Sequence, residues 1–172
     1  TARLTTLVNA AYGHVDQWVI AKSYLCPEAS ECNTTCAGKW YLQPFMMGLT
    51  AKALIRDWDV TSDSRCLTNV TALCDWIWAN TMQSGNSPWY ENCADTPANP
   101  LWLQGTGAAP DLALLVAPMF AWVALRTGNI TYRDRGDTIW AYGVPNAYLG
   151  TGQNAKQWDQ NYLWSFEYVT WW

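Results

Sequence analysis

Apolar residues recur at helical spacing along most of this chain, and that period leaves little room for a β architecture. Leu4, Leu7, Val8, Ala11, Val15, Trp18 and Val19 form one stripe, as expected of a helix that buries a single face. A second stripe follows Pro44 through Met46, Leu49, Ala53 and Leu54 to about Trp58. A third carries Leu67, Val70, Leu73, Cys74, Ile77 and Trp78. A fourth carries Leu112, Leu115, Val116, Met119 and Val123. It opens at Pro110, where the missing N–H costs nothing, and Pro118 should bend it. No alternating β-branched run lasts beyond about five residues, so the sequence offers no strand of comparable strength.

The punctuation between stripes is that of helical hairpins. Asp59 to Ser64 supplies Asp, Thr and Ser as caps. Thr127-Gly128-Asn129 ends the fourth helix, and Thr131 with Asp134 reads as a cap for a fifth that runs to Gly143-Val144-Pro145. A last helix begins near Ala155. Trp158, Tyr162, Phe166 and Val169 share one face of it; Trp164, Tyr168 and Trp171 share another. A helix apolar on two sides has neighbours on both. An offset of 70 residues aligns Arg56 with Arg126, Thr61 with Thr131 and Arg65 with Arg135, which supports a repeated hairpin. The expectation is an all-α fold: about six helices in consecutive αα-hairpins, one domain over residues 1–172.

Composition bears on what such a bundle does. Thirteen tryptophans and nine tyrosines in 172 residues exceed what the core of three helix pairs encloses, since each ring carries about 150–250 Å². The surplus is expected on a binding groove or against another subunit. Gly85 to Pro110, without periodicity and broken by Pro88, Pro97, Pro100, Gly105 and Gly107, reads as the rim of such a groove. Trp89, Tyr90, Trp102, Tyr162 and Trp164 are the candidate platforms for sugar rings, whose C–H bonds meet an aromatic face favourably. The competing reading tucks the loop's rings beneath it, tied down by Cys93.

A net charge of −4 without any Lys/Arg run excludes a phosphate-backbone footprint, so no nucleic-acid partner is expected. No apolar stretch is long enough to span a bilayer. Cys26, Cys32, Cys36, Cys66, Cys74 and Cys93, even in number and clustered, read as disulfide cysteines of an oxidising compartment. Cys66 and Cys74 lie about 12 Å apart along one helix and do not pair with each other. Cys93 is a candidate partner for one of them, a local bridge among Cys26, Cys32 and Cys36 is another, and the rest of the connectivity stays open. The spacing in Cys26-x5-Cys32-x3-Cys36 is no standard zinc pattern, and the sole histidine, His14, is remote; no metal is expected. Sequons at Asn33, Asn69 and Asn129 fit a secreted glycoprotein. The first residue, Thr1, suggests a processed chain or a piece of a larger one.

Leu125-Arg126-Thr127-Gly128-Asn129-Ile130-Thr131-Tyr132-Arg133-Asp134, entered from an apolar helix, resembles the hairpin turn of (α/α)-toroid carbohydrate-active proteins, the six-hairpin glycoside hydrolases and related polysaccharide lyases. Their hairpins commonly read helix, Thr-Gly-Asp, two residues, Tyr, next helix; Asn129 stands where the acid is usual. Leu54 to Arg65 is a looser copy, and Lys156 to Tyr168 is similar to the closing helix of such proteins. The likeness covers Gln43 to Trp172. A complete toroid has about twice as many helices, so the resemblance implies either its C-terminal half or an open helical bundle that completes its core against another copy.

Glycoside cleavage generally requires two carboxyl groups about 5–10 Å apart. Asp16, Asp57, Asp59, Asp75, Asp111, Asp159 and Glu167 stand beside aromatic residues. Asp111 at a helix start and Glu167 among Trp164, Tyr168 and Trp171 are the foremost pair, because such surroundings move carboxyl pKa values. Nucleophilic catalysis would have to pass through His14 and has no Gly-x-Ser-x-Gly elbow. Gly105-Thr106-Gly107 lacks the strand and lysine of a phosphate loop, and no cofactor is expected. The resemblance therefore implies an extracellular protein that binds or degrades polysaccharide. The alternatives are a structural subunit of an extracellular assembly with aromatic interfaces, and a non-catalytic lectin-like module.

Overall fold

The computed structural model describes residues 2–27, 32, 36–83, 86–94, 103–104, 108–147 and 162–172. It is an all-α fold with two small sheets. The helices are α1 (Ala2–Val15), α2 (Pro44–Thr61), α3 (Ser64–Asn80), α4 (Pro110–Thr127), α5 (Ile130–Asn146) and α6 (Glu167–Trp171). A π-helical turn, Asp16–Ile20, prolongs α1. The strands are β1 (Trp40–Leu42), β2 (Met82–Gln83), β3 (Ser87–Pro88), β4 (Asn92–Ala94) and β5 (Leu103–Gln104).

Helix α4 is the axis of the core. From Leu112 to Val123 it is buried along its whole circumference, and α2, α3, α5 and α6 all pack on it. It runs unbroken through Pro118. Helices α2 and α4 point the same way: Gly48 lies on Leu115 near their starts, and Trp58 meets Trp122 edge-on at 5.7 Å near their ends. Only glycine fits at position 48, because a Cβ there would collide with the Leu115 carbonyl, whose carbon would be 2.9 Å away.

The two hairpins turn by the same device. In the first, Thr61 donates to the Asp57 carbonyl, Ser62 adopts the left-handed conformation at φ 55°, and Asp63 caps α3 by accepting from the Arg65 N–H at 2.9 Å. In the second, Thr127 donates to the Val123 carbonyl, Gly128 sits at φ 70°, and Asn129 caps α5 by accepting from the Thr131 N–H at 3.0 Å. The cap of α5 is therefore Asn129, not Thr131. Thr61 matches Thr127, so the structural offset is 66 residues rather than 70. At that offset Cys66, Val70, Leu73 and Ile77, buried on α3, coincide with Tyr132, Gly136, Ile139 and Gly143, buried on α5.

Helix α1 departs from the expected stripe. Ala11, Val15, Trp18 and Val19 are buried, but Leu4 and Leu7 face solvent. Its second half carries contacts with α2 and α3: Tyr12 reaches Cys66 at 3.1 Å and His14 reaches Thr50 at 3.4 Å. The closing segment is also shorter in helix than expected. Residues 163–166 form bends and turns, and the stretch from 155 to 161 lies outside the described residues.

The segment between Gly85 and Pro110, expected to be irregular, contributes β3, β4 and β5. The sheet order is β1-β4-β5, all antiparallel, with Tyr41 opposite Cys93 and Cys93 opposite Leu103. Cys36–Cys93 staples β4 to the loop before β1, and Cys26–Cys32 closes a local ring. Cys66 and Cys74 are free, buried thiols. The expectation of a bridge from Cys93 to one of them is thus corrected: both point from α3 into the helical core, whereas Cys93 sits in the sheet beside Cys36. No helix among the described residues is long and apolar enough to cross a membrane.

Candidate functional site

The richest surface lies where α5 meets the C-terminal segment. Arg133, Asp137 and Trp140 fall one turn apart on α5 and share a face by the i, i+4, i+7 rule. Asp137 Oδ1 accepts from both the Tyr168 hydroxyl and the Trp172 indole N–H, the latter at 2.7 Å. Trp140 stacks on Tyr168 with centroids 4.8 Å apart and planes at 13°. The Arg133 guanidinium lies 5.5 Å over the Trp172 ring, and its Nε is buried without a hydrogen-bond partner. One carboxylate thus orients two aromatic rings while a cation covers one of them.

Two concavities flank Trp172, which is 64% exposed. The first, of about 320 Å³, is a groove between α5 and α6 lined by Asp137, Trp140, Ala141, Tyr168, Val169 and Trp172. The second, of about 370 Å³, lies at the α4–α5 turn, between Leu125, Gly128, Asn129, Ile130, Arg133, Trp171 and Trp172. Flat apolar rings with a carboxylate and a guanidinium at the edge suit a ligand with apolar faces and an equatorial belt of hydroxyls.

Sequence reasoning did not single out Trp140, Arg133 or Asp137. Their signal was present in the spacing of two charges and a ring along one helical face. Of the residues expected to stack on sugar, Trp164 is corrected outright. It is 2% exposed, and its N–H donates to the Leu115 carbonyl at 3.0 Å. Trp89 is half-buried and bridges Ala108, while Tyr90 is exposed and stacks on Phe45 at 5.5 Å. Tyr162 is half-buried against Phe166. Trp102 lies outside the described residues. No described contact gathers these positions into one surface. Among the described tryptophans Trp18, Trp40, Trp122 and Trp164 are buried, Trp172 is open, and the others are half-buried.

Glu167 opens α6 and forms an ion pair with Arg56. Its Oε2 is buried without a hydrogen-bond partner. Asp111 stands in the first turn of α4, a turn before Leu115, and its side chain lies outside the described residues. No described contact joins the two. Asn69 is half-buried on α3 and donates to the Arg65 carbonyl at 2.8 Å; Asn129 is exposed at the hairpin turn; Asn33 lies outside the described residues. Among the described residues no three His, Cys, Asp or Glu side chains cluster as metal ligands would.

Burial, reinforced by the hydrogen bond to Asp137, raises the Tyr168 hydroxyl above its usual range. Burial and the hydrogen bond to Asp75 push Tyr132 up to about 12. Tyr12 and Tyr41 are raised by burial and by Cys66 and Glu91 respectively, and burial raises the Cys66 and Cys74 thiols. In each case the folded state holds the proton more tightly than the unfolded chain, whose thiols and phenols ionise near about 8.5 and 10. The unfolded state then binds fewer protons, so stability falls as pH rises. Urea midpoints should hold up to about pH 8, decline from about pH 9 as the thiols of the unfolded chain ionise, and drop more steeply above about pH 10. A flat profile from pH ~8 to ~11 contradicts this burial.

Set against protein-family models, curated proteins and solved structures, the chain matches none of them. The likeness to (α/α)-toroid proteins rests on the sequence motifs of the hairpin turns and the closing segment.

Proposed function

We propose that this chain is an extracellular carbohydrate-binding protein of αα-hairpins, and that the groove between α5 and α6 holds the glycan. The observation that carries the reading is Asp137, which locks Tyr168 and Trp172 beside Trp140 in one open concavity. The rings supply apolar faces on which the C–H bonds of a sugar ring can stack. The two disulfides support an oxidising compartment. The repeated turn and the shared direction of α2 and α4 support the toroid resemblance. Cleavage by Asp111 and Glu167 is the catalytic version of this reading, and the pairing of Glu167 with Arg56 weighs against it.

Titration with soluble β-glucan, α-mannan and polygalacturonate oligosaccharides, read by tryptophan fluorescence and calorimetry, tests binding. At least one should shift the emission and yield no cleaved product. Trp140→Ala, checked for an intact fold by circular dichroism, should weaken that glycan about tenfold, equivalent to about 1.4 kcal/mol. No response to any of the three, or equal affinity in the variant, rejects the groove.

A second reading, a subunit of an extracellular assembly, draws on Phe166 and Val169, 66% and 61% exposed beside Trp172. Three large apolar side chains open on one short segment suit contact with a second copy. Sedimentation that becomes concentration-dependent, and is abolished by Phe166→Asp, favours that reading over glycan binding.

A further inference from the structure

The cavity at the α4–α5 turn is distinct from the α5–α6 groove and shares only the Trp172 wall with it. Asn129, the acceptor of the sequon Asn129-Ile130-Thr131, is one of its lining residues. Its side-chain oxygen is committed to capping α5, which fixes the side chain. The side-chain nitrogen, where an N-linked sugar attaches, makes no hydrogen bond among the described residues. Asn69 differs: its nitrogen donates within α3, and the next sequon residue, Val70, is buried.

We propose that Asn129 carries an N-linked glycan and that this cavity seats its first N-acetylhexosamine, packed against Trp171 and Trp172 with Arg133 at the edge. At about 30 Å³ per water the cavity equals roughly a dozen waters, comparable to one such sugar. The sugar covers apolar surface that the chain leaves open, and the Arg133 guanidinium, which lines the cavity, offers N–H donors to its hydroxyl or carbonyl oxygens. The covalent step needs a lipid pyrophosphate-linked oligosaccharide as donor. The Asn129 Nδ2–C1 bond forms, the C1–oxygen bond to pyrophosphate breaks, the amide gives up one proton, and lipid pyrophosphate leaves. This rests on the extracellular part of the reading above and not on glycan binding in the groove.

The test is secretion of the full chain from cells that N-glycosylate, with glycopeptide mass spectrometry and thermal unfolding. Thr131→Ala removes the acceptor signal and leaves the cap intact, because the cap bond uses the Thr131 backbone N–H. Thr131→Ser retains the signal. Asn129 should be occupied in wild type and Thr131→Ser and empty in Thr131→Ala, with the unfolding midpoint lowered by about 2–4 °C in the last. In a Trp172→Ala background, which leaves Trp171 as the remaining aromatic wall, that shift should shrink. Enzymatic removal of the sugar from folded wild type, which leaves Asp at 129 as a competent cap, should reproduce the same loss without any mutation. An empty Asn129, or an equal shift with and without Trp172, overturns the proposal. Oligosaccharide titration of the Thr131→Ala protein reads the groove separately, so either idea can fail while the other stands.

Discussion

Replacing Trp164 with alanine is expected to lower the free energy of unfolding by about 3–5 kcal/mol, the range for removing a buried large aromatic side chain. The ring is sealed between α2, α4 and α6 and meets Trp171 edge-on at 6.2 Å. Its N–H donates to the Leu115 carbonyl, and the Lys52 ammonium lies 6.0 Å from its centroid. Alanine leaves a cavity beside the central helix, which Gly48 already holds against α2 without slack. A surface sugar platform would behave differently, since its loss would change stability by no more than about 0.5 kcal/mol. Urea unfolding of Trp164→Ala separates the two, and a loss below about 1 kcal/mol contradicts the core role.

Removing the Cys36–Cys93 bridge is expected to cost about 4 kcal/mol, against about 2 kcal/mol for Cys26–Cys32, in the chain-entropy account. The difference follows from the spans closed, 57 residues against 6. The long bridge also anchors β4, whose Cys93 pairs with Tyr41 on one side and Leu103 on the other. Cys36→Ala with Cys93→Ala should therefore shift the urea midpoint about twice as far as Cys26→Ala with Cys32→Ala. Equal shifts would mean that the unfolded chain is already compact around this loop, or that the sheet holds without its staple.

Helix positions could be read from the chain because their cause is local. Pro44 and Pro110 at first turns, and Thr-Ser-Asp and Thr-Gly-Asn at the hairpin bends, act through neighbours a few residues away. Register between the hairpins could not be read as safely. Matching arginines suggested an offset of 70, whereas the left-handed residue and the cap, which govern the turn, set it at 66. The strands escaped notice because two or three residues are too short to alternate, and β1 exists only by pairing with β4, fifty or more positions away. The partner of Cys93 escaped for the same reason, whereas the local bridge Cys26–Cys32 is one of those the spacing suggests.

The candidate site divides along the same line. Surplus indole and phenol rings point to an aromatic surface, and the spacing places Trp164, Tyr168 and Trp171 on one helical face. Which face turns outward was another matter: the face of Trp164, Tyr168 and Trp171 packs inward, and Phe166 and Val169 on the other are exposed. Trp140, Arg133 and Asp137 gained meaning only when α5 and the C-terminal segment came together.

The sequence by itself determined that this chain is helical, hairpin-built and aromatic beyond ordinary need, since propensity, capping and composition are properties of short stretches. Tertiary structure alone decided which cysteines bridge, which tryptophans are core, and where Asp137 ties two rings into a groove. Those outcomes depend on how distant segments exclude water together, and no short stretch carries that information.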